Sequence, residues 1–421
     1  MKFSNKYLLL LIGFSLAIAF ASCKKDNKPN EKPDQDPPVE KEDPEKEPEN
    51  PPVPASEFAG YMFVLDQAQI PDLAGYEAEK DVPQAKLMAI SPNGELHLDI
   101  LAEKKVDVQL GFECKMQRVK DHFVIFAKKI SLKEKDSKTQ VTVINNQTLQ
   151  VVSQTTYDFN SGYPGDFMLA ATEEKAFIGH RGVIYTLDLK DGSVNKFADC
   201  AFDSYAGAAS YNGSLFVPMK NEASIGVFTL DNNQGTKIEL PKNATRIYPL
   251  TDTVFLAKSD GDECYLVSME SMKVIKTINM KFSGLQRYSM VYDSKGNKIY
   301  VAGQGKDKKH KVYFLDINKE ESELQEMYIV PESDINMNHP ISGNIKIGLD
   351  TEKNILYIGH LDNLVFADKV PPATGKRATR SAYISSISLE GIDGKVPVMQ
   401  PAAKSRIEDM YEFSRFYYMA K

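Results

Sequence analysis

Apolar and polar positions along most of this chain follow one short recurring phrase: apolar, usually aromatic, apolar, small. It reads Met62-Phe63-Val64-Leu65, Val124-Ile125-Phe126-Ala127 and Ala176-Phe177-Ile178-Gly179. It continues as Leu215-Phe216-Val217-Pro218, Val254-Phe255-Leu256-Ala257, Ile299-Tyr300-Val301-Ala302 and Leu356-Tyr357-Ile358-Gly359. A last copy, Phe416-Tyr417-Tyr418-Met419, ends the chain. The steps between copies are 62, 52, 39, 39, 45, 57 and 60 residues. Repeats of roughly 40–50 residues mark propellers and other arrays. A turn signal precedes most copies, as in Asn212-Gly213-Ser214 or Lys295-Gly296-Asn297. A second strand pattern follows, such as Val183-Ile184-Tyr185-Thr186-Leu187-Asp188, and then a third, such as Lys273-Val274-Ile275-Lys276-Thr277-Ile278. The runs are short, β-branched or aromatic, and bounded by Gly, Asn, Asp and Pro, which predicts strands and hairpins. No long stretch carries a 3.6-residue period.

Four short strands per ~45 residues make one propeller blade. The pattern therefore predicts an all-β, seven-bladed β-propeller, with the phrase as the second strand of each blade. The eighth copy is surplus and predicts closure. The segment Met410 to Met419 pairs with the first blade near Gly60 to Leu65 and removes the open sheet edges. Eight blades is the alternative. The stretches KAFIGHRGVIYTLDLKDGSV and NKIYVAGQGKDKKHKVYFLDINKEES resemble the YVTN-type propeller repeat over about Tyr163 to Ser322. That resemblance implies fold alone, because the repeat serves many functions. The chain has no Trp, so the tryptophan-aspartate signature of the other large propeller class is missing.

The first 55 residues break the pattern. Lys2 and Lys6 precede an apolar run from Tyr7 to Ala21, which is too short to span a bilayer. Phe20-Ala21-Ser22-Cys23 closes it and resembles a bacterial lipobox, in which the cysteine becomes the lipidated first residue. Phe20 stands where that motif usually has leucine. The resemblance implies a signal peptide over residues 1–22 and a lipid anchor at Cys23. Residues 24–55 hold nine of the chain's 22 prolines, ten acids and six lysines. Such a composition cannot bury a core and predicts a disordered tether, so the divisions are 1–22, 23–55 and 56–421. The Cys23-Lys24-Lys25-Asp26 start loosely resembles the export signals of Bacteroidetes-type surface lipoproteins. The expected address is the outer membrane, lipid-anchored and surface-exposed.

Charge and cysteine content narrow the picture. The balance is 51 basic against 58 acidic side chains, with no basic block to bind nucleic acid. Beyond Cys23 only Cys114, Cys200 and Cys264 remain, an odd number spread far apart. They predict buried small residues, not a disulfide framework. No Gly-x-Ser-x-Gly, His-Glu-x-x-His or Walker loop occurs, so no catalytic residue, metal site or cofactor is assigned.

Residues just past each phrase fall in the hairpin to the third strand, on the face that also carries the links between blades. Several are cationic: Lys128, His180, Arg181, Lys220, Lys258 and His360. Arg246 and Arg287 join them just before inner strands. Together they predict a basic rim around the propeller mouth, suited to an anionic ligand. His180 and His360 both follow an Ile-Gly step, but near-opposite blades hold them too far apart for one bare ion. Surface propeller lipoproteins of this build resemble accessory proteins of TonB-dependent outer-membrane receptors. That resemblance implies non-enzymatic capture of a siderophore, haem, cobalamin or glycan. A protein-interaction scaffold and a propeller hydrolase or lyase are the alternatives.

Overall fold

The computed structural model describes residues 56–68, 84–131, 136–157, 166–202, 206–281, 286–305, 309–319, 323–329, 345–364, 380–390, 403–410 and 414–420. Cys23 and the tether lie outside them. The described strands form seven four-stranded antiparallel sheets, one per blade. Blade 1 carries β1 (Met62–Asp66), β2 (Lys86–Ile90) and β3 (Leu96–His97), and a one-turn helix α1 (Ile100–Glu103) follows. Blade 2 is β4 (Phe112–Val119), β5 (His122–Ser131), β6 (Asp136–Asn145) and β7 (Val151–Tyr157). Blade 3 is β8 (Phe167–Ala170), β9 (Lys175–His180), β10 (Val183–Asp188) and β11 (Val194–Asp199). Blade 4 is β12 (Ala209–Tyr211), β13 (Ser214–Pro218), β14 (Ser224–Thr229) and β15 (Asn232–Glu239). Blade 5 is β16 (Ala244–Pro249), β17 (Val254–Ser259), β18 (Glu263–Ser268) and β19 (Lys273–Asn279). Blade 6 is β20 (Gln286–Asp293), β21 (Lys298–Gln304), β22 (His310–Asp316) and β23 (Gln325–Ile329). Blade 7 is β24 (Ile345–Asp350), β25 (Ile355–Leu364), β26 (Arg380–Ser388) and β27 (Ala403–Met410). The last strand, β28 (Tyr417–Tyr418), returns to blade 1.

The seven internal copies of the phrase are the second strands β1, β5, β9, β13, β17, β21 and β25, as the sequence predicts. Position explains their composition. A second strand is covered by the neighbouring blades on both faces, so it reads as a continuous apolar run. The first turn of each blade explains the Asn-Gly and Asp signals. Asn212 and Gly213 both hold positive φ, 44° and 77°, as a tight hairpin turn requires. In blade 7, Asp350 Oδ1 accepts the N–H groups of Glu352 and Lys353, each at 2.9 Å.

The core is a ring of seams. Alternate residues of each sheet face opposite neighbours, and each of the seven apolar clusters fills one seam. Phe63 and Leu65 of blade 1 meet Phe123 and Ile125 of blade 2. Leu256 and Leu266 of blade 5 meet Ile299 and Val301 of blade 6. The last seam joins Tyr357 and Ile384 of blade 7 to Met62 and Val64 of blade 1, with Phe416 between them. Cys114, Cys200 and Cys264 are free and buried within these seams, as their spacing predicts.

The eighth copy closes the ring. Tyr418 pairs with Met62 and Tyr417 with Phe63, antiparallel. Beyond that ladder, Gly60 N–H donates to the Met419 carbonyl at 2.6 Å, and Met419 N–H to the Tyr61 carbonyl at 2.9 Å. The C-terminal strand is thus the innermost strand of blade 1. Seven blades result, and the eight-blade alternative falls.

Candidate functional site

The first strand of every blade borders the propeller axis, so its side chains decide what the axial channel can hold. Each of these strands starts at the face with the inter-blade links and ends at the turn into the second strand. Lys115, earlier on β4, therefore sits toward the link face, and Arg118 toward the turn face. A cavity of about 310 Å³ opens between the first strands of blades 1 to 5. Its charged lining is Lys115 and Arg118 from blade 2, Arg415 beside β28, and Asp252 from the first turn of blade 5. Gln67, Gln117, Ser210, Thr251 and Ser414 add polar groups, and Met116, Phe126, Met168, Leu169 and Tyr417 add apolar ones.

Two hydrogen-bonded systems fix this wall. Gln117 bridges three blades: its Nε2 donates to the Ala170 carbonyl at 3.1 Å and to Ser210 Oγ at 2.6 Å. Its Oε1 accepts the Ala170 N–H at 2.9 Å, and Ser210 Oγ donates to the Ala170 carbonyl at 2.8 Å. Arg118 reaches across the axis. Its Nε donates to Asp252 Oδ2 at 2.6 Å, a second guanidinium nitrogen joins the same carboxylate, and a third contact goes to the Tyr418 carbonyl. Two further hollows, about 450 Å³ and about 190 Å³, lie toward the turn face and share Arg118 and Asp252 with the first; the larger also shares Gln117 and Ser210, and the smaller Thr251, Arg415 and Tyr417. The ion pair is therefore the partition between the upper cavity and the lower mouth.

That partition leaves a charge imbalance above it. The one carboxylate among the described wall residues, Asp252, is engaged by Arg118. Lys115 and Arg415 make no ion pair among the described residues; Arg415 lies over the Tyr417 ring at 5.4 Å. Burial pushes the Tyr417 phenol above its usual range, so it stays a neutral donor to the Met116 carbonyl at 2.8 Å. Among the described residues the cavity thus offers two cations, neutral donors and an apolar wall, and no carboxylate besides the one Arg118 holds.

The rim residues read from the sequence are dispersed around the molecule. None of the seven with described side chains lines the axial cavity: six lie on second strands or just past them, outside the first strand, and Arg246, on first strand β16, is not part of the lining. Lys128 is ion-paired with Glu113 at 2.5 Å and mostly buried. Lys258 turns its ammonium to the Ser259 and Gly261 carbonyls, at 3.0 and 3.4 Å. Arg246 is exposed and lies over the Tyr248 ring at 5.4 Å. Arg181 and Lys220 are exposed at hairpin ends, and His180 is half-buried at the end of β9. Arg287 belongs to β20, and its side chain lies outside the described residues. His360 is not on a rim at all: it is fully buried and stacks on Tyr383, ring centroids 5.4 Å apart. The Ile-Gly step before His180 has a packing origin, since a Cβ on Gly179 would stand 2.2 Å from the Phe167 ring.

The residues that do gather, Lys115, Arg118 and Arg415, were readable only by position. Lys115-Met116-Gln117-Arg118 lies just upstream of the second phrase, and Arg415 immediately precedes the last one. Both places belong to innermost strands, which border the axis.

No protein-family model matches the chain, and no curated protein matches it. Among solved structures it is similar to Hsv2 of Kluyveromyces marxianus, at 12% identity over 65% of this chain and 85% of that one, TM-score 0.38. Hsv2 of Kluyveromyces lactis matches at 10% identity over 68% of this chain and 90% of that one, TM-score 0.40. A form of the latter with loop 6CD replaced by a Gly-Ser linker matches at 11% identity over 68% and 90%, TM-score 0.39. At these scores the likeness carries no argument, and the blade count rests on this chain's own strand pairing.

Proposed function

We propose that this protein is a non-enzymatic capture protein that takes an anionic ligand, or the anionic arm of a larger one, in its axial channel. The observation that carries the reading is the pair of cations, Lys115 and Arg415, without an ion pair among the described residues, on a wall whose one described carboxylate is held by Arg118. A partly desolvated site strengthens charge-assisted hydrogen bonds, each worth roughly 1.5–3 kcal/mol. The lipobox resemblance at Cys23 supports a lipid-anchored outer-membrane address, with a TonB-dependent receptor as the proposed recipient of the cargo.

Titration calorimetry with ferric siderophores, haem, cobalamin and acidic oligosaccharides tests the capture reading. Lys115→Gln and Arg415→Gln should each weaken a hit by about ten- to a hundredfold, at ~1.4 kcal/mol per decade. A tight hit indifferent to both variants moves the site out of the channel. No hit among anions of any size removes the capture reading and leaves the interaction scaffold. The address has its own test. Cys23→Ala should release the protein from the membrane fraction, because acyl chains are its proposed anchor. Continued sedimentation with membranes after a salt wash refutes the anchor.

A further inference from the structure

Resting on the capture reading, the geometry points to one chemical class for the upper cavity: a small amphipathic anion, with its carboxylate at Lys115 and Arg415 and its apolar body against the channel wall. Three observations meet here. The first is size. The cavity measures about 310 Å³, at the small end of ligand pockets, which run from about 300 to 1,000 Å³. At about 30 Å³ per water-sized unit it holds about ten such units, the bulk of an acid with about ten non-hydrogen atoms such as octanoate.

The second is the division of the lining. Lys115 and Arg415 come from adjacent innermost strands, β4 and the approach to β28; Lys115 is exposed on the link-face side, and Arg415 lines both this cavity and the smaller hollow. Met116, Phe126 and Met168 line the same cavity and belong to the seams of blades 1 to 3. A fully polar polyanion would leave that apolar wall unmatched, and a neutral hydrocarbon would leave exposed Lys115 and half-buried Arg415 without a counter-charge. An amphipathic acid satisfies both halves.

The third is the floor. The charge of Arg118 is neutralised by Asp252 and its guanidinium is also held by the Tyr418 carbonyl, so the far end of the cavity carries no net cation for a second anchor. The occupant therefore needs one charged end, not two. A dicarboxylate would set its second charge against the wall carboxylate Asp252.

Octanoate, 1-octanol and octanedioate titrated into the full-length protein test this assignment. The readout is the methyl resonances of Met116 and Met168, assigned by single Met→Leu replacement. Octanoate should bind saturably and shift both methyls. Octanol and octanedioate should each bind at least tenfold more weakly, and Lys115→Gln and Arg415→Gln should each weaken octanoate by tenfold or more. Both variants replace side chains that reach the cavity, and unchanged melting of each confirms that the fold survives. Octanol binding as tightly as octanoate overturns the proposal, as does octanoate binding that leaves both methyls unmoved. If octanoate fails while a bulkier anion binds and depends on Lys115 and Arg415, the small amphipathic class falls and anion capture stands. If no anion of either size binds, both readings fall.

Discussion

A chain that ends at Met410 is expected to lose cooperative unfolding altogether. The segment removed holds Phe416, Tyr417 and Met419, exposed by only 4%, 5% and 5%. Burying side chains of this size is worth about 1.5–3 kcal/mol each, so the three together approach the 5–15 kcal/mol net stability of a whole domain. Their removal also breaks specific bonds. Leu65 N–H donates to Ser414 Oγ at 2.9 Å, and Tyr417 Oη donates to the Met116 carbonyl at 2.8 Å. The bare inner edge of β1 and an open seam between blades 7 and 1 would then face water, an invitation to edge-to-edge association. Circular dichroism melting and light scattering check this: a broad, weak transition with aggregation is expected. A soluble truncation that melts sharply at the temperature of the intact protein refutes closure by β28. A single substitution probes the same joint more gently. A Cβ on Gly348 of blade 7 would stand 2.3 Å from the Phe416 Cβ, so Gly348→Ala forces the closing strand away. Overpacking of this kind costs about 1–3 kcal/mol, which should appear as a lower melting temperature without aggregation.

The blade plan was legible because second strands are buried on both faces. Val64, Val217 and Val301 sit at equivalent places in their blades, and burial on both sides admits only apolar side chains there. The surplus copy at Phe416 was legible for the same reason, since closure puts Tyr417 against Phe63. The radius at which a residue sits was not legible. Lys128 and Lys258 recur at equivalent positions, and recurrence alone does not separate an axial wall from a hairpin one strand further out. Three-dimensional pairing resolves it: Lys128 meets Glu113, while Lys115, in a less regular first strand, reaches the axis. First strands vary in length from two residues in β28 to eight in β4, and those of blades 2 to 7 lack the shared phrase, which hid Arg118, while Arg415 stands just ahead of the short β28. His360 misled for a further reason. Histidine reads as a surface donor in a sequence, but β25 continues to Leu364, so His360 lies within the strand and not beyond it.

Strand parity places a second histidine in the same seam, and from it comes a large dependence of stability on pH. Val312 and Phe314 of β22 face Leu356 and Ile358 of β25 across the seam of blades 6 and 7. His310 is two residues before Val312 on the same face, and His360 two residues after Ile358. Gln304 pairs with His310 in the ladder, Tyr328, Tyr383 and Ser385 are further polar groups of this seam, and toward its axial side Ser289 Oγ accepts the Ile347 N–H while Asp293 lies beside Tyr300. His310 is fully buried, and neither of its ring nitrogens has a hydrogen-bond partner among the described residues. Burial pulls its pKa down from 6.5 to about 4, because an imidazolium there would lose its hydration with no counter-charge. In the unfolded chain the ring titrates near its ordinary value, so between about 6.5 and about 4 the unfolded state binds the proton first. Stability is therefore full above that window, falls as pH drops through it, and levels off below it. The loss amounts to about 3 kcal/mol at ~1.4 kcal/mol per pH unit. His310→Leu removes the titrating ring and two unsatisfied nitrogens at similar bulk. It should be neutral to stabilising at pH 7, and its stability should fall about 3 kcal/mol less than that of the parent between pH 7 and pH 4. Urea unfolding of both proteins across that range measures the difference directly. Parallel pH profiles for parent and variant would show that the ring is solvated or paired in the folded protein, and the buried neutral histidine would fall with them.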